Sequence, residues 1–237
     1  MTGAGPVTSV IFDMDGLLID TEPAWRTAEV AVLGRHGVRL SRADVIDSTG
    51  HEIGAVVAGW LRRLPGPYVG DPPDVAAVTD EITGLVIAHV ARVGEPMAGV
   101  PEAIALFKRW GLRLAIASSS PPRLIDAVCR RIGLDWISVR CSAASEARGK
   151  PAPDVYLTAA RRLGEDPARC LALEDSVAGV MAARAAGMRC IAVPDPHLAD
   201  DLAYRAADLV LDSLTQLGER ALGELGLQHL RQPHPGG

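Results

Sequence analysis

Two carboxylates stand at the end of a short apolar run. Val10, Ile11 and Phe12 are followed at once by Asp13, with Asp15 and Gly16 just behind. Charge is costly to bring against a core, so the placement asks for a reason. Asp-Gly is ordinary turn chemistry, and a turn alone would account for it. The other reading is chemical. An aspartate can attack phosphorus and carry the phosphoryl group as an aspartyl-phosphate. A carboxyl two residues on can protonate the leaving oxygen, then deprotonate water for the second step.

Three more polar clusters suit that chemistry. Ser118, Ser119 and Ser120 end a second apolar run, and hydroxyls and amides at a helix N-terminus bind phosphate oxygens. Glu174, Asp175 and Ser176 end another, and Lys150 lies in GKPAPD. A lysine there would neutralise charge spreading over phosphate oxygens in a loose transition state. Lys150 is one of only two lysines, the other being Lys108, so its position is informative. Asp13 and Asp175 suit a divalent cation such as Mg²⁺, with a main-chain carbonyl near Asp15 as a further ligand. Each cluster also has a plain alternative. The serines precede Pro121 and could cap a helix, as could Asp175 and Ser176; Lys150 could be an exposed loop residue. The argument for a site is their joint placement.

Those residues need a scaffold. Strand-like runs at 7–13, 112–118, 137–142, 170–174, 189–193 and 208–212 alternate, after residue 97, with helix-like runs at 100–110, 121–132, 153–164 and 176–186. That alternation predicts a parallel α/β sheet, in which ligands bind at the carboxyl ends of the strands. Residues 21–95 read as helical instead. Ala24, Ala28, Ala31 and Val32 share a face; Ile53, Val56, Val57, Trp60, Leu61 and Leu64 repeat at helical spacing, as do Ile82, Leu85, Val86, His89, Val90 and Val93. PGPYVGDPP breaks the pattern, and QPHPGG reads as a disordered tail. The expected organisation is an α/β core of 1–20 and 96–237 with a helical cap inserted at 21–95.

Bulk properties narrow the classes. A chain of 237 residues, 48% hydrophobic, can hold one large core or a core plus a smaller domain. A net charge of −5 without a basic run argues against nucleic acid as a partner. No apolar stretch approaches the roughly 18 residues of a membrane span, and MTGAGP has no signal-peptide character. Cys129, Cys141, Cys170 and Cys190 are irregularly spaced, which suits buried free thiols in the cytoplasm.

FDMDG at 12–16, ASSS at 117–120, GKPAPDVY at 149–156 and LEDS at 173–176 resemble, in order, the four motifs of the haloacid dehalogenase-like hydrolases. The resemblance runs over essentially the whole chain and falls in the branch that holds sugar-phosphate phosphatases and β-phosphoglucomutase. DMDGLLIDTEPAW, ASSSPP and GKPAPDVYL are similar to 2-deoxyglucose-6-phosphate and hexitol phosphatases. It implies a Rossmann-like core with an inserted cap, and a Mg²⁺-dependent phosphatase acting on a phosphorylated sugar or polyol. Asp13 would be nucleophile and metal ligand; Asp15 would be general acid/base, counted with the metal site. Ser118 and Lys150 would hold the phosphoryl group, assisted by the Ser119 amide. Asp175 would ligate Mg²⁺, with Glu174 supporting it directly or through water, and Thr21 would sit near the hinge.

Within the family, dehalogenases lack an aspartate at the position of Asp15, and phosphonatases need a cap lysine, whereas 21–95 contains none. The alternative is a β-phosphoglucomutase-type mutase. Its gating histidine, twelve residues after the nucleophile, is replaced here by Trp25, and its cap lysine is missing; Pro121 and Pro122 follow the serines. A phosphatase is therefore expected. A phospho-acceptor signalling domain would have no use for the helical insert. Glu22, Trp25 and His51 are the candidates to face the substrate, Trp25 by packing on the apolar face of a sugar, and Arg62 or Arg63 to steer an anion; His197 reads as a surface loop residue. A monomer is expected.

Overall fold

The computed structural model describes residues 6–41, 44, 51–63, 73–195, 200–225 and 227. Leu64, most of PGPYVGDPP, His197 and the QPHPGG tail lie outside them. Six strands pair in parallel: β1 (Ser9–Phe12), β2 (Arg113–Ser118), β3 (Val139–Ser142), β4 (Cys170–Glu174), β5 (Arg189–Ala192) and β6 (Leu209–Val210). Their order in the sheet is β3-β2-β1-β4-β5-β6. The chain leaves β1 toward β2 and β3, then returns to the other side of β1 to make β4. Between β1 and β4 the winding reverses, and that crevice is where such sheets bind ligands.

The strands read as apolar runs because both faces of the sheet are covered. Period two then sorts large from small residues. Val10, Phe12, Leu114, Ile116, Leu171 and Leu173 point to one face. Ile11, Ala115, Ala117 and Ala172 point to the other. On the bulky face lie α4 (Val100–Arg109) and α5 (Pro122–Arg131), through Phe107, Leu124 and Val128. On the alanine-rich face α6 (Asp154–Leu163) and α7 (Val177–Ala185) pack through Val155, Tyr156, Ala159 and Val180. A short α8 (Glu219–Glu224) follows β6.

Residues 22–93 add no strand among the described residues. They form α1 (Glu22–Arg35), α2 (Ile53–Arg63) and α3 (Val75–Val93), with α3 packed against α1, α2 and α5. Arg123 on α5 pairs with Asp80 on α3 at 2.8 Å, and Arg131 donates to the Gly94 carbonyl at 2.7 Å. Three residues expected on buried faces turn outward. Ala31 is exposed, because the buried stripe of α1 runs Ala24, Ala28, Glu29, Val32 and Leu33. Leu85 and Val93 are 43% and 48% exposed, because α3 buries the narrower stripe Val78, Ile82, Val86 and Val90. Strand β3 starts two residues later than expected, and β6 is reduced to two residues. No helix among the described residues is long and apolar enough to cross a membrane. The four cysteines are buried and form no disulfide.

Candidate active site

Asp13 leaves the end of β1 with its N–H donating to the Leu173 carbonyl of β4 at 2.9 Å. Its carboxylate is almost wholly buried. Gly16 turns the chain at φ +79, a left-handed conformation that favours glycine. A Cβ at Gly16 would also fall on the Asp175 carboxylate. Turn chemistry and charge placement thus coexist in the first motif.

The serines after β2 do not cap α5; the residue at that position is Pro121, with no side-chain cap. They converge on Asp15 instead. Ser118 Oγ donates to Asp15 Oδ2 at 3.0 Å and Ser120 Oγ at 2.8 Å, while Ser120 N–H donates to Ser118 Oγ at 3.0 Å. Ser119 is half-buried between them. From the other side Thr21 Oγ1 donates to Asp15 Oδ1 at 2.5 Å and Trp25 Nε1 at 3.4 Å. Thr21 stands at the N-cap of α1 without capping it, since its hydroxyl is spent on Asp15. Four donors therefore hold this carboxyl, two from the sheet loop and two from the start of α1. Ser176 does cap a helix, its Oγ accepting from Gly179 N–H at the start of α7.

Lys150 is buried with its Nζ 2.5 Å from Asp13 Oδ1, 2.5 Å from Glu174 Oε1 and 3.2 Å from the Ala117 carbonyl. Tyr156 OH donates to the same Glu174 oxygen at 2.7 Å, and Ser176 Oγ donates to the other at 3.1 Å. Oxygens of Asp13, Glu174 and Asp175 lie within 4.8 Å of one another. Burial, then repulsion from Glu174 and Asp15, raise the Asp13 pKa well above the usual range against the pull of Lys150. Burial, then Asp13 and Glu174, do the same to Asp175. Burial alone would lower Lys150; Asp13 and Glu174 outweigh it and raise its pKa. The carboxylate of Asp15 is absent from the three-carboxylate group, which leaves its main-chain carbonyl as its means of joining a metal site.

The cap candidates separate. Trp25 and Thr21 touch the site. Glu22 lines a neighbouring cleft of about 310 Å³ with Gly16, Asp20 and Met97. His51 and Arg63 line a different cavity of about 300 Å³, with Asp44 and Trp60. Glu52 spends its carboxylate on the N–H groups of Gly54 and Ala55, and a Cβ on Gly149 would meet its Cβ at 4.0 Å. The start of α2 thus lies beside the Lys150 loop. Sequence reasoning placed Ser120 in the serine cluster but not on Asp15, and it missed Tyr156 and the indole N–H of Trp25 as contributors. Tyr156 lies inside the GKPAPDVY stretch, and that was its signal.

A doubly wound parallel sheet with buried carboxylates and a lysine at its switch point defines an α/β enzyme with an aspartate-centred site. The chain belongs to the haloacid dehalogenase-like hydrolases, and the model of that family matches residues 7–187. It is 40% identical over 218 residues to hexitol phosphatase B of Escherichia coli K12, across 91% of this chain and 96% of that one. The crystal structure of CbbY from Rhodobacter sphaeroides in complex with phosphate superposes with a TM-score of 0.81 at 31% identity, over 93% of this chain and 100% of that one. β-Phosphoglucomutase from Clostridium difficile superposes with a TM-score of 0.81 over 95% of this chain and 100% of that one. At 20% identity that likeness concerns the fold alone.

Proposed function

We propose that this chain is a Mg²⁺-dependent phosphatase that hydrolyses small sugar or polyol phosphate monoesters, hexose and hexitol phosphates foremost, through an aspartyl-phosphate. The observation that carries the reading is the buried Asp13, bonded to Lys150, with Asp15 beside it on the same turn. The 40% identity to a hexitol phosphatase supports the substrate class. We assign 1–20 and 96–237 to the catalytic core and 21–95 to a cap, in a monomer of the cytoplasm; free cysteines support that compartment.

Asp13 attacks phosphorus as the bond to the leaving alkoxide breaks, and Lys150 fixes one of its oxygens so that the other faces the substrate. Asp15 hands its proton to the leaving oxygen. In the second step Asp15 takes a proton from water, water attacks phosphorus, and the bond to Asp13 breaks. Ser118, the Ser119 amide and Lys150 hold the non-bridging oxygens. Helices α1 to α3 keep bulk water from the phosphoenzyme.

The residues fit a magnesium ion. Asp13, Glu174 and Asp175 bring carboxylate oxygens within 4.8 Å of one another, with the Lys150 ammonium bonded to the first two, and hard oxygen donors are what Mg²⁺ takes. Asp13 and Asp175 would hold it, with the Asp15 carbonyl and Glu174 in support. When bound, it supplies positive charge that offsets these carboxylates and the substrate phosphate.

The test is phosphate release, with and without Mg²⁺, from 2-deoxyglucose 6-phosphate, sorbitol 6-phosphate, mannitol 1-phosphate and β-glucose 1-phosphate. Metal-dependent release from the hexose or hexitol esters is expected, EDTA stopping it and Asp13→Asn lowering it by about 10³-fold or more. Glucose 6-phosphate forming from β-glucose 1-phosphate without phosphate release would replace the reading with a mutase. Near-wild-type turnover by a folded Asp13→Asn protein would remove the nucleophile assignment.

A further inference from the structure

Glu29 is 5% exposed, in the buried stripe of α1, and its Oε2 has no hydrogen-bond partner among the described residues. Nothing in the phosphoryl chemistry uses it. Burying a polar atom in this way costs stability, so its surroundings matter. At 3.6 residues per turn Glu29 lies about 40° round the helix from Trp25, and Glu22 about 60°. Both neighbours reach the loop after β1: Trp25 donates to Asp15, and Glu22 lines a cleft with Gly16 and Asp20. Glu29 falls between those directions, about one 5.4 Å turn beyond Trp25.

The phosphoryl end of a substrate is bound by Lys150 and Ser118, and its leaving oxygen must face Asp15. The alcohol then extends away from Asp15, past Trp25, toward the next turn of α1. We infer that Glu29 receives the distal hydroxyls of the sugar or polyol and sets the preference for hydroxyl-bearing phosphate esters. This rests on the phosphatase reading above. Burial and Glu22, opposed by Arg26, push its carboxyl up to about 7. Near neutrality such a group both donates to and accepts from hydroxyls. An ester without hydroxyls would leave Glu29 as unpartnered as it is now, which is how a polar site rejects an apolar analogue.

The experiment compares kcat/KM for sorbitol 6-phosphate with that for p-nitrophenyl phosphate in the full chain, wild type and Glu29→Leu. The sorbitol-to-aryl ratio is expected to fall about tenfold or more in the variant, with a melting temperature at or above wild type. A ratio within threefold of wild type overturns the inference. Should Glu29→Leu fail to fold, Glu29→Met is held to the same threefold limit. Wild-type failure on every hexose and hexitol ester would instead sink the substrate class, a result read before any variant is made.

Discussion

Lys150 sits between Asp13 and Glu174 with its ammonium buried, and the electrostatics of the site follow from how many carboxylates share that one cation. Removing one partner of a buried pair costs about 3–5 kcal/mol. Lys150→Met should therefore lose turnover and unfold at clearly lower denaturant. Adding Asp13→Asn to it should restore part of the stability, which a double-mutant cycle in urea would measure. Glu29 makes a pH-dependent prediction of its own. Its folded pKa, about 7, lies above its ordinary 4.5, so the folded protein binds the proton more tightly than the unfolded chain. The favourable contribution is complete below the unfolded value and is lost as pH rises through 7. The penalty above that amounts to about 3 kcal/mol. Glu29→Leu should accordingly gain more melting temperature over wild type at pH 8 than at pH 5; an equal gain at both would contradict the shift.

At the scale of elements, the site depends on how closely α7 approaches the end of β4. A Cβ on Gly179 would fall on the Glu174 carboxylate. Gly179→Ala should displace Glu174 from Lys150 and Tyr156, lowering activity at least tenfold and stability by about 1–3 kcal/mol. Unchanged kinetics would show that Glu174 has room elsewhere. The strands were legible in the amino-acid sequence because they are short, apolar and sorted by size, as in Leu114, Ala115, Ile116 and Ala117. Asp13, Asp15, Ser118, Lys150, Glu174 and Asp175 were legible because each ends or follows a strand, or lies in a loop, at that rim. The bond of Ser120 to Asp15 and that of Tyr156 to Glu174 were not. Those partners are chosen by how a loop folds back and how α6 lies on the sheet, and no local pattern records that. The narrow stripe of α3 departs from the periodicity for a related reason: Leu85 and Val93 have the right spacing for burial but stay 43% and 48% exposed.

Across the whole molecule, α3 is braced against α5 by Arg123 with Asp80 and by Arg131 with Gly94. Exposed pairs of this kind contribute about 0–1 kcal/mol, so their effect belongs to motion rather than to stability. Arg131→Ala is expected to leave the melting temperature nearly unchanged while raising KM for sugar phosphates severalfold, through looser seating of α3 on α5; a purely thermal effect would refute that. The register of β1 has a consequence of another kind. Ser9 pairs with Arg113 and with Cys170, so the strand that carries Asp13 is made first and finds its neighbours more than a hundred residues later. At about 5–20 residues per second of synthesis, the SVIF segment waits roughly eight to thirty seconds for its second partner. Until β4 is made, the Asp13 N–H has no Leu173 carbonyl to bind, so a nascent chain shortened before that point cannot seat Asp13 as the full chain does.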